Sequence, residues 1–306
     1  MSPRPLVIAH RGASGHRPEH TLASYDLAIE LGADFIEPDL VITRDGVLIA
    51  RHENDISETT DVASRPEFAD RRTTRRIDGL EVTGWFTEDF TLAEIKALRA
   101  HERLPFRDHS FDGRFEIPTF EEVLDLALRK SVGVYPETKH PSYFRRIGLP
   151  LEEPLLAALE ARGWTGRDAP VFIQSFETGN LRELRKQTGV RLIQLLEAEG
   201  HGLATPEELA WIATYADGIG PDKRLIVPAD HEGRLLPPTS LVEDAHRAGL
   251  HVHPWTFRSD PELLAPEYEG QAEREYEQFY RLGVDGVFSD FPEVAVRARA
   301  LSNRKW

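Results

Sequence analysis

Short apolar runs and helical segments alternate along most of this 306-residue chain, and the alternation narrows the folds open to it. Residues 6–10, 35–40, 132–139, 171–176, 192–197, 217–220, 251–256 and 287–289 read as eight strands. Helical patterns fall between them. Residues 19–31 carry apolar residues at helical spacing and stop at Gly32. Thr119 with Glu122 opens a helix to Lys130, and residues 151–162 stop at Gly163. Residues 181–188 stop at Gly189. Thr205, followed by Pro206 and Glu208, opens another helix, as does Ser240 with Glu243. Residues 273–282 are helical, and Pro292 opens the last helix. Doubly wound sheets share this alternation, but eight units favour a (β/α)8 TIM barrel, one domain spanning 1–306. After the second strand, Arg44-Asp45-Gly46 marks a hairpin into a further apolar run ending at His52.

The alternation fails once. Residues 53–117 are polar and rich in Arg and Asp, and they contain one clear helix, capped by Thr91 and Glu94. This stretch reads as an insertion on one face of the barrel. Its basic run, Arg71-Arg72-Thr-Thr-Arg75-Arg76, is either solvated surface or a rim that attracts phosphate.

Ionisable and polar residues stand where the apolar runs end: His10, Asp39, Lys139, Gln174, Glu197 and Asp290. A run made for packing alone has no need of them, and barrels carry their chemistry at that end of the strands. Glu37 and Asp39 are two apart in a strand, so both carboxylates face one way. Glu137 and Lys139 repeat the spacing one unit on, and neighbouring strands lie only about 5 Å apart. Three converging carboxylates repel one another unless a cation lies between them, and oxygen-only ligands suit Mg²⁺ or Ca²⁺. The plainer alternative is a pair of strand-end salt-bridge networks. Pro38 between the carboxylates fits best if the strand ends there.

His10 and His52 each end a strand and suit general acid and base work near neutral pH. Arg11 and Lys139 add two cations to an acidic site, which points to an anionic substrate. Phe176, Trp255 and Phe257 lie near strand ends, as pocket wall or as barrel packing. His16, His101, His109 and His246 read as surface residues.

Net charge sets limits on partners. At −15 the chain lacks the basic face that nucleic acid or an anionic membrane needs. With no cysteine, it has no disulfide, thiolate nucleophile or thiolate zinc site. No signal-like or membrane-spanning apolar stretch is visible, so a cytoplasmic location is expected; a periplasmic or secreted one would require a leader already removed. Oligomeric state is left open.

Taken in order, His10-Arg11-Gly12, Pro18-Glu19-x-Thr21, Glu37-x-Asp39, His52, Glu137-x-Lys139, Gln174-Ser175-Phe176 and Asp285-Gly286-Val287-Phe288-Ser289-Asp290-Phe291-Pro292 resemble the glycerophosphodiester phosphodiesterases over nearly the whole chain. The insertion resembles the bacterial type that includes periplasmic enzymes. The resemblance implies a TIM barrel that hydrolyses glycerophosphodiesters to glycerol 3-phosphate and an alcohol. It implies one divalent cation on Glu37, Asp39 and Glu137, His10 and His52 as the acid–base pair, and phosphate held by Arg11 and Lys139. The insertion would cap the glycerol side of the pocket, and the bacterial type tips the ion to Ca²⁺ over Mg²⁺. His20 stands where many members carry Asn, and Glu53 follows His52 where Asp is common. The alternatives are a phospholipase D-like or phosphoinositide-cleaving enzyme on the same barrel, and a non-catalytic barrel that binds a sugar phosphate or a metal. The first would need a lipid-facing apolar anchor, and none is apparent.

Overall fold

The computed structural model describes residues 4–198 and 204–302. Eight strand positions close into a ring of parallel neighbours. The first strand, Leu6–His10, pairs with the second, which runs in two pieces, Phe35–Glu37 and Asp39–Ile42. The third is also in two pieces, Gly133–Val134 and Glu137–Thr138. Phe172–Ser175, Arg191–Leu196, Gly218–Pro221 and His251–Val252 follow in order. The eighth, Gly286–Ser289, pairs with the first, and the Phe257–Ser289 bridge links it to the chain beyond the seventh. The expected barrel is therefore the observed one.

Proline explains the two broken strands. Pro38 and Pro136 have no N–H to give the ladder, so each strand parts there. The breaks sit side by side and keep their acceptors in use: Glu137 N donates to Pro38 O at 2.9 Å, and Gln174 N to Pro136 O at 2.9 Å. The second strand does not end at Pro38, as expected. It resumes at Asp39 and turns through Asp45-Gly46 into the antiparallel strand Leu48–Ala50.

The two-residue period of a strand stacks the barrel interior in layers. Ile8, Phe35, Tyr135, Phe172, Ile193 and Phe288 form one buried cluster inside the ring. Tyr135 stacks on Phe172 with centroids 4.9 Å apart, and its hydroxyl meets His253 Nδ1 at 2.8 Å. Two residues further along the same strands stand His10, Glu37, Glu137, Gln174, Leu195 and Asp290. The aromatic layer is thus the floor beneath a polar one. Alternate residues such as Val7, Ala9, Ile36, Ile173 and Val287 join the outer core under the helices.

Several elements differ from expectation. The first helix is Leu22–Glu30, because Thr21 caps it by accepting from Ser24 N, and the preceding Glu19 and His20 turn inward instead. Thr119 and Thr205 form the expected capping boxes, but Ser240 makes no backbone cap and bonds Asp244 Oδ2 at 2.6 Å. Within 53–117 the expected helix, Leu92–Ala97, is present with its Thr91–Glu94 box. An unexpected hairpin, Thr73–Ile77 and Leu80–Gly84, turns at Asp78-Gly79. The basic run lies on it and just before it. Arg71 is committed to Glu94 at 2.6 Å and Arg75 to Asp89 at 2.5 Å, while Arg72 and Arg76 are exposed. Among the described residues, no helix is long and apolar enough to cross a membrane.

Candidate active site

The first strand ends in a tight turn that determines how the site starts. Arg11 and Gly12 both take positive φ, 59° and 89°, and a Cβ on Gly12 would lie 2.4 Å from Ser24 Oγ. The turn aims Arg11 N at Glu37 Oε2, 2.8 Å away. The Arg11 side chain folds back between Glu19, at 3.1 Å, and Asp39, at 3.3 Å.

Glu37, Asp39 and Glu137 offer oxygens that all lie within 4.8 Å of one another, and all three residues are buried. Burial, then Asp39 and Glu137, push the Glu37 carboxyl well above its usual range against the pull of Arg11. Burial likewise raises Glu137, against Lys139 at 3.0 Å. Burial acts on Asp39 too, but His20, Lys139 and Arg11 outweigh it and hold its carboxyl well below the usual range. Fully ionised, the cluster would carry more negative charge than Arg11 and Lys139 offset, which is the condition a divalent cation relieves. Gln174 adds a further oxygen: its Nε2 reaches Glu37 Oε1 at 3.2 Å, while its buried Oε1 has no partner. Carboxylate and amide oxygens are hard donors that fit Mg²⁺ or Ca²⁺.

Two histidines flank the carboxylates, each with a carboxylate of its own. His10 Nδ1 meets Asp290 Oδ1 at 2.7 Å, and Asp290 is gripped by Arg107 at 2.6 Å and Arg258 at 3.2 Å. His52 Nδ1 meets Glu53 Oε1 at 3.0 Å, while Lys139 Nζ lies 3.5 Å from its Nε2. Burial lowers His10 to about 4, with Arg11 adding to the effect. Burial, Arg11 and Lys139 lower His52 to about 3. Both rings are therefore neutral at pH 7; Nε2 of His10 faces the pocket, while Nε2 of His52 stands against Lys139 Nζ.

These groups surround a pocket of about 240 Å³ lined by His10, Arg11, Glu37, His52, Glu137, Lys139, Phe176 and Trp255, together with Arg103 and Arg258. The Phe176 ring meets Trp255 edge-on at 5.7 Å, with Lys139 Nζ 5.7 Å above it. Asp39 lies behind the lining, on the cation cluster. Phe257 is not a wall: it is fully buried against Tyr276 and Phe279. Glu197 is exposed and away from the pocket. Four residues gained a place that the sequence had not given them. His20 is buried and bonds Asp39 Oδ2 at 2.9 Å and Tyr25 Oη at 2.7 Å. Asp290 was legible as a strand end but not as the partner of His10. Arg103 and Arg107 reach in from the insertion, with no local signal to mark them.

Buried carboxylates, paired histidines and basic side chains at the C-terminal rim of such a barrel are the groups that hydrolysis of a phosphate diester calls for. The chain belongs to the glycerophosphoryl diester phosphodiesterase family, whose model matches residues 10–294. It is 39% identical to a glycerophosphodiester phosphodiesterase of Arabidopsis thaliana, covering 94% of this chain and 84% of that protein. With the glycerophosphodiester phosphodiesterase of Bacillus subtilis it shares 33% identity over 96% of this chain and 86% of the relative. A solved phosphodiesterase of Oleispira antarctica, in complex with the product sn-glycerol-3-phosphate, aligns with a TM-score of 0.64 at 24% identity, covering 96% of each chain. A glycerophosphodiester phosphodiesterase from Agrobacterium tumefaciens aligns at 0.64 and 21% identity, covering 96% of this chain and 99% of that one.

Proposed function

We propose that this chain hydrolyses glycerophosphodiesters to glycerol 3-phosphate and an alcohol, with one divalent cation and with His10 and His52 as its acid–base pair. One observation carries the reading: two neutral imidazoles, each held at Nδ1 by a carboxylate, line one pocket beside a three-carboxylate cluster. Glu37, Asp39 and Glu137 are the residues that would hold the ion, with Gln174 Oε1 within the same layer. When bound, such an ion withdraws charge from a phosphoryl oxygen. Ca²⁺ is preferred over Mg²⁺, because a mixed set of carboxylate and amide oxygens suits the ion with the looser coordination.

Arg11 and Lys139 hold the phosphate and counter the charge that grows on it. His10 takes a proton through Nε2 from the nucleophile, which is water or the neighbouring glycerol hydroxyl, the latter giving a cyclic phosphate that water then opens. His52 gives a proton to the departing alkoxide as the P–O bond to the alcohol breaks. Burial, then Arg11 and Lys139, keep His52 unprotonated in the free site, and a phosphate bound by those two side chains offsets their charge and favours the imidazolium that donates from Nε2. Phe176 and Trp255 form the apolar side of the pocket, against which the substrate's carbon chain packs. Residues 53–117 belong to the single domain 1–306 and cap one side of the pocket through Arg103.

Turnover of glycerophosphocholine tests the assignment. His10→Ala and His52→Ala should each lower kcat by about 10²–10⁴-fold with unchanged circular dichroism. Near-normal turnover by either variant removes that residue from its role.

A further inference from the structure

His140 does not line the pocket, yet it stands in a row of ionisable groups that ends on His52. Glu53 accepts from His52 at 3.0 Å through Oε1, and its Oε2 lies 2.7 Å from His140 Nε2. His140 Nδ1 lies 2.5 Å from Asp78 Oδ2, at the tip of the insertion hairpin. The row therefore runs from the pocket to the surface, where the Asp78 side chain is 51% exposed.

We propose that His140 is a positioning residue for His52, acting through Glu53, and that Asp78 of the insertion holds it in that role. The inference rests on the reading of His52 as one of the acid–base pair. An imidazole between two carboxylates donates from both nitrogens, which takes a proton on each. Burial opposes that charge, but Glu53 and Asp78 prevail and raise the His140 pKa. So held, His140 occupies one oxygen of Glu53 and leaves the other to accept from His52 Nδ1. That fixes the His52 tautomer with Nε2 toward the pocket. Glu53 needs the second anchor. Its side chain is 44% exposed and has one more rotatable bond than an aspartate, so water would otherwise turn the carboxylate away.

A merely structural tie is already provided elsewhere. His140 precedes the helix Pro141–Arg146, and Tyr143 of that helix bonds Glu88 of the insertion, which Asn54 also holds at 3.1 Å. Losing the His140 ring should leave this docking in place.

The test compares His140→Ala, His140→Gln and Asp78→Asn on glycerophosphocholine, with ¹⁵N NMR of the His52 ring. His140→Ala should lower kcat about 10–100-fold with KM within twofold, the range for residues that orient catalytic groups. His52 should then show mixed tautomers. His140→Gln keeps a donor to Glu53 and should recover most of the rate, and Asp78→Asn should give a smaller loss than His140→Ala. Unchanged kcat and tautomer in His140→Ala overturn the proposal. So does an equal loss in His140→Gln that follows a lowered melting temperature. If the wild type itself shows no turnover with any cation, the hydrolase reading fails, and the His52 tautomer still decides whether His140 positions it.

Discussion

Glu37, Asp39 and Glu137 are charges that the fold alone does not balance. The repulsion within the cluster makes a prediction at the residue scale. Glu137→Gln should abolish the rise in melting temperature that a divalent cation gives the wild type. Differential scanning fluorimetry with and without the ion checks this; a variant still stabilised by the ion contradicts this picture. Arg107 faces the opposite demand. It is the side-chain partner of buried Asp260 and shares Asp290, so Arg107→Met should cost about 3–5 kcal/mol in a denaturant titration. A loss under 1 kcal/mol, the worth of a surface pair, would show the contact to be incidental. At this scale the sequence was most legible where an ionisable residue ended an apolar run, as His10, Glu37, Asp39 and Lys139 do. It was least legible where partners come from afar: Asp290 meets His10 across 280 positions, and His20 reaches Asp39 only through a backbone turn at positive φ.

The strands arrange chemistry by counting in twos. Phe35, Glu37 and Asp39, then Tyr135, Glu137 and Lys139, then Phe172, Gln174 and Phe176 run from barrel floor to pocket on three neighbouring strands. The spacing made the carboxylate convergence readable, although Pro38 and Pro136 cut the strands. Helix starts were readable where a side chain completes a cap, as at Thr119; the helix after Ser240 also starts where expected, although the Ser240 hydroxyl prefers Asp244 to the backbone. The hairpin at Asp78-Gly79 carried the same turn signal as Asp45-Gly46, but arginines on both its faces hid the alternation of a strand. The helix capped by Thr119, Phe120–Lys130, leads into the third strand that carries Glu137. Thr119→Ala should cost about 1 kcal/mol in stability and leave kcat unchanged. A fall in kcat out of proportion would mean that the cap positions the site and does not only start a helix.

Across the whole molecule, the insertion grips the site from two sides. Arg107 holds the carboxylate behind His10, and Asp78, through His140, the one behind His52. No periodicity could show this, since both contacts depend on how the insertion folds over the ring. The barrel also keeps several imidazoles neutral: His10 at about 4, His52 and His253 at about 3, all lowered first by burial. The unfolded chain binds protons at these residues near pH 6.5, and the folded chain does not. Their stability contribution is therefore complete above pH 6.5 and lost as pH falls toward 4. With the cation present to keep the carboxylates ionised, the melting temperature should drop over that window; a flat profile would mean that the rings are protonated in the folded state.

The most direct test of the account is glycerol 3-phosphate release from glycerophosphocholine after chelation, then with Ca²⁺ or Mg²⁺ restored separately. Release should stop on chelation and return with the added ion, with Ca²⁺ the more effective. Release indifferent to chelation, or absent with either ion, would contradict a cation held by Glu37, Asp39 and Glu137 as the centre of a phosphodiesterase.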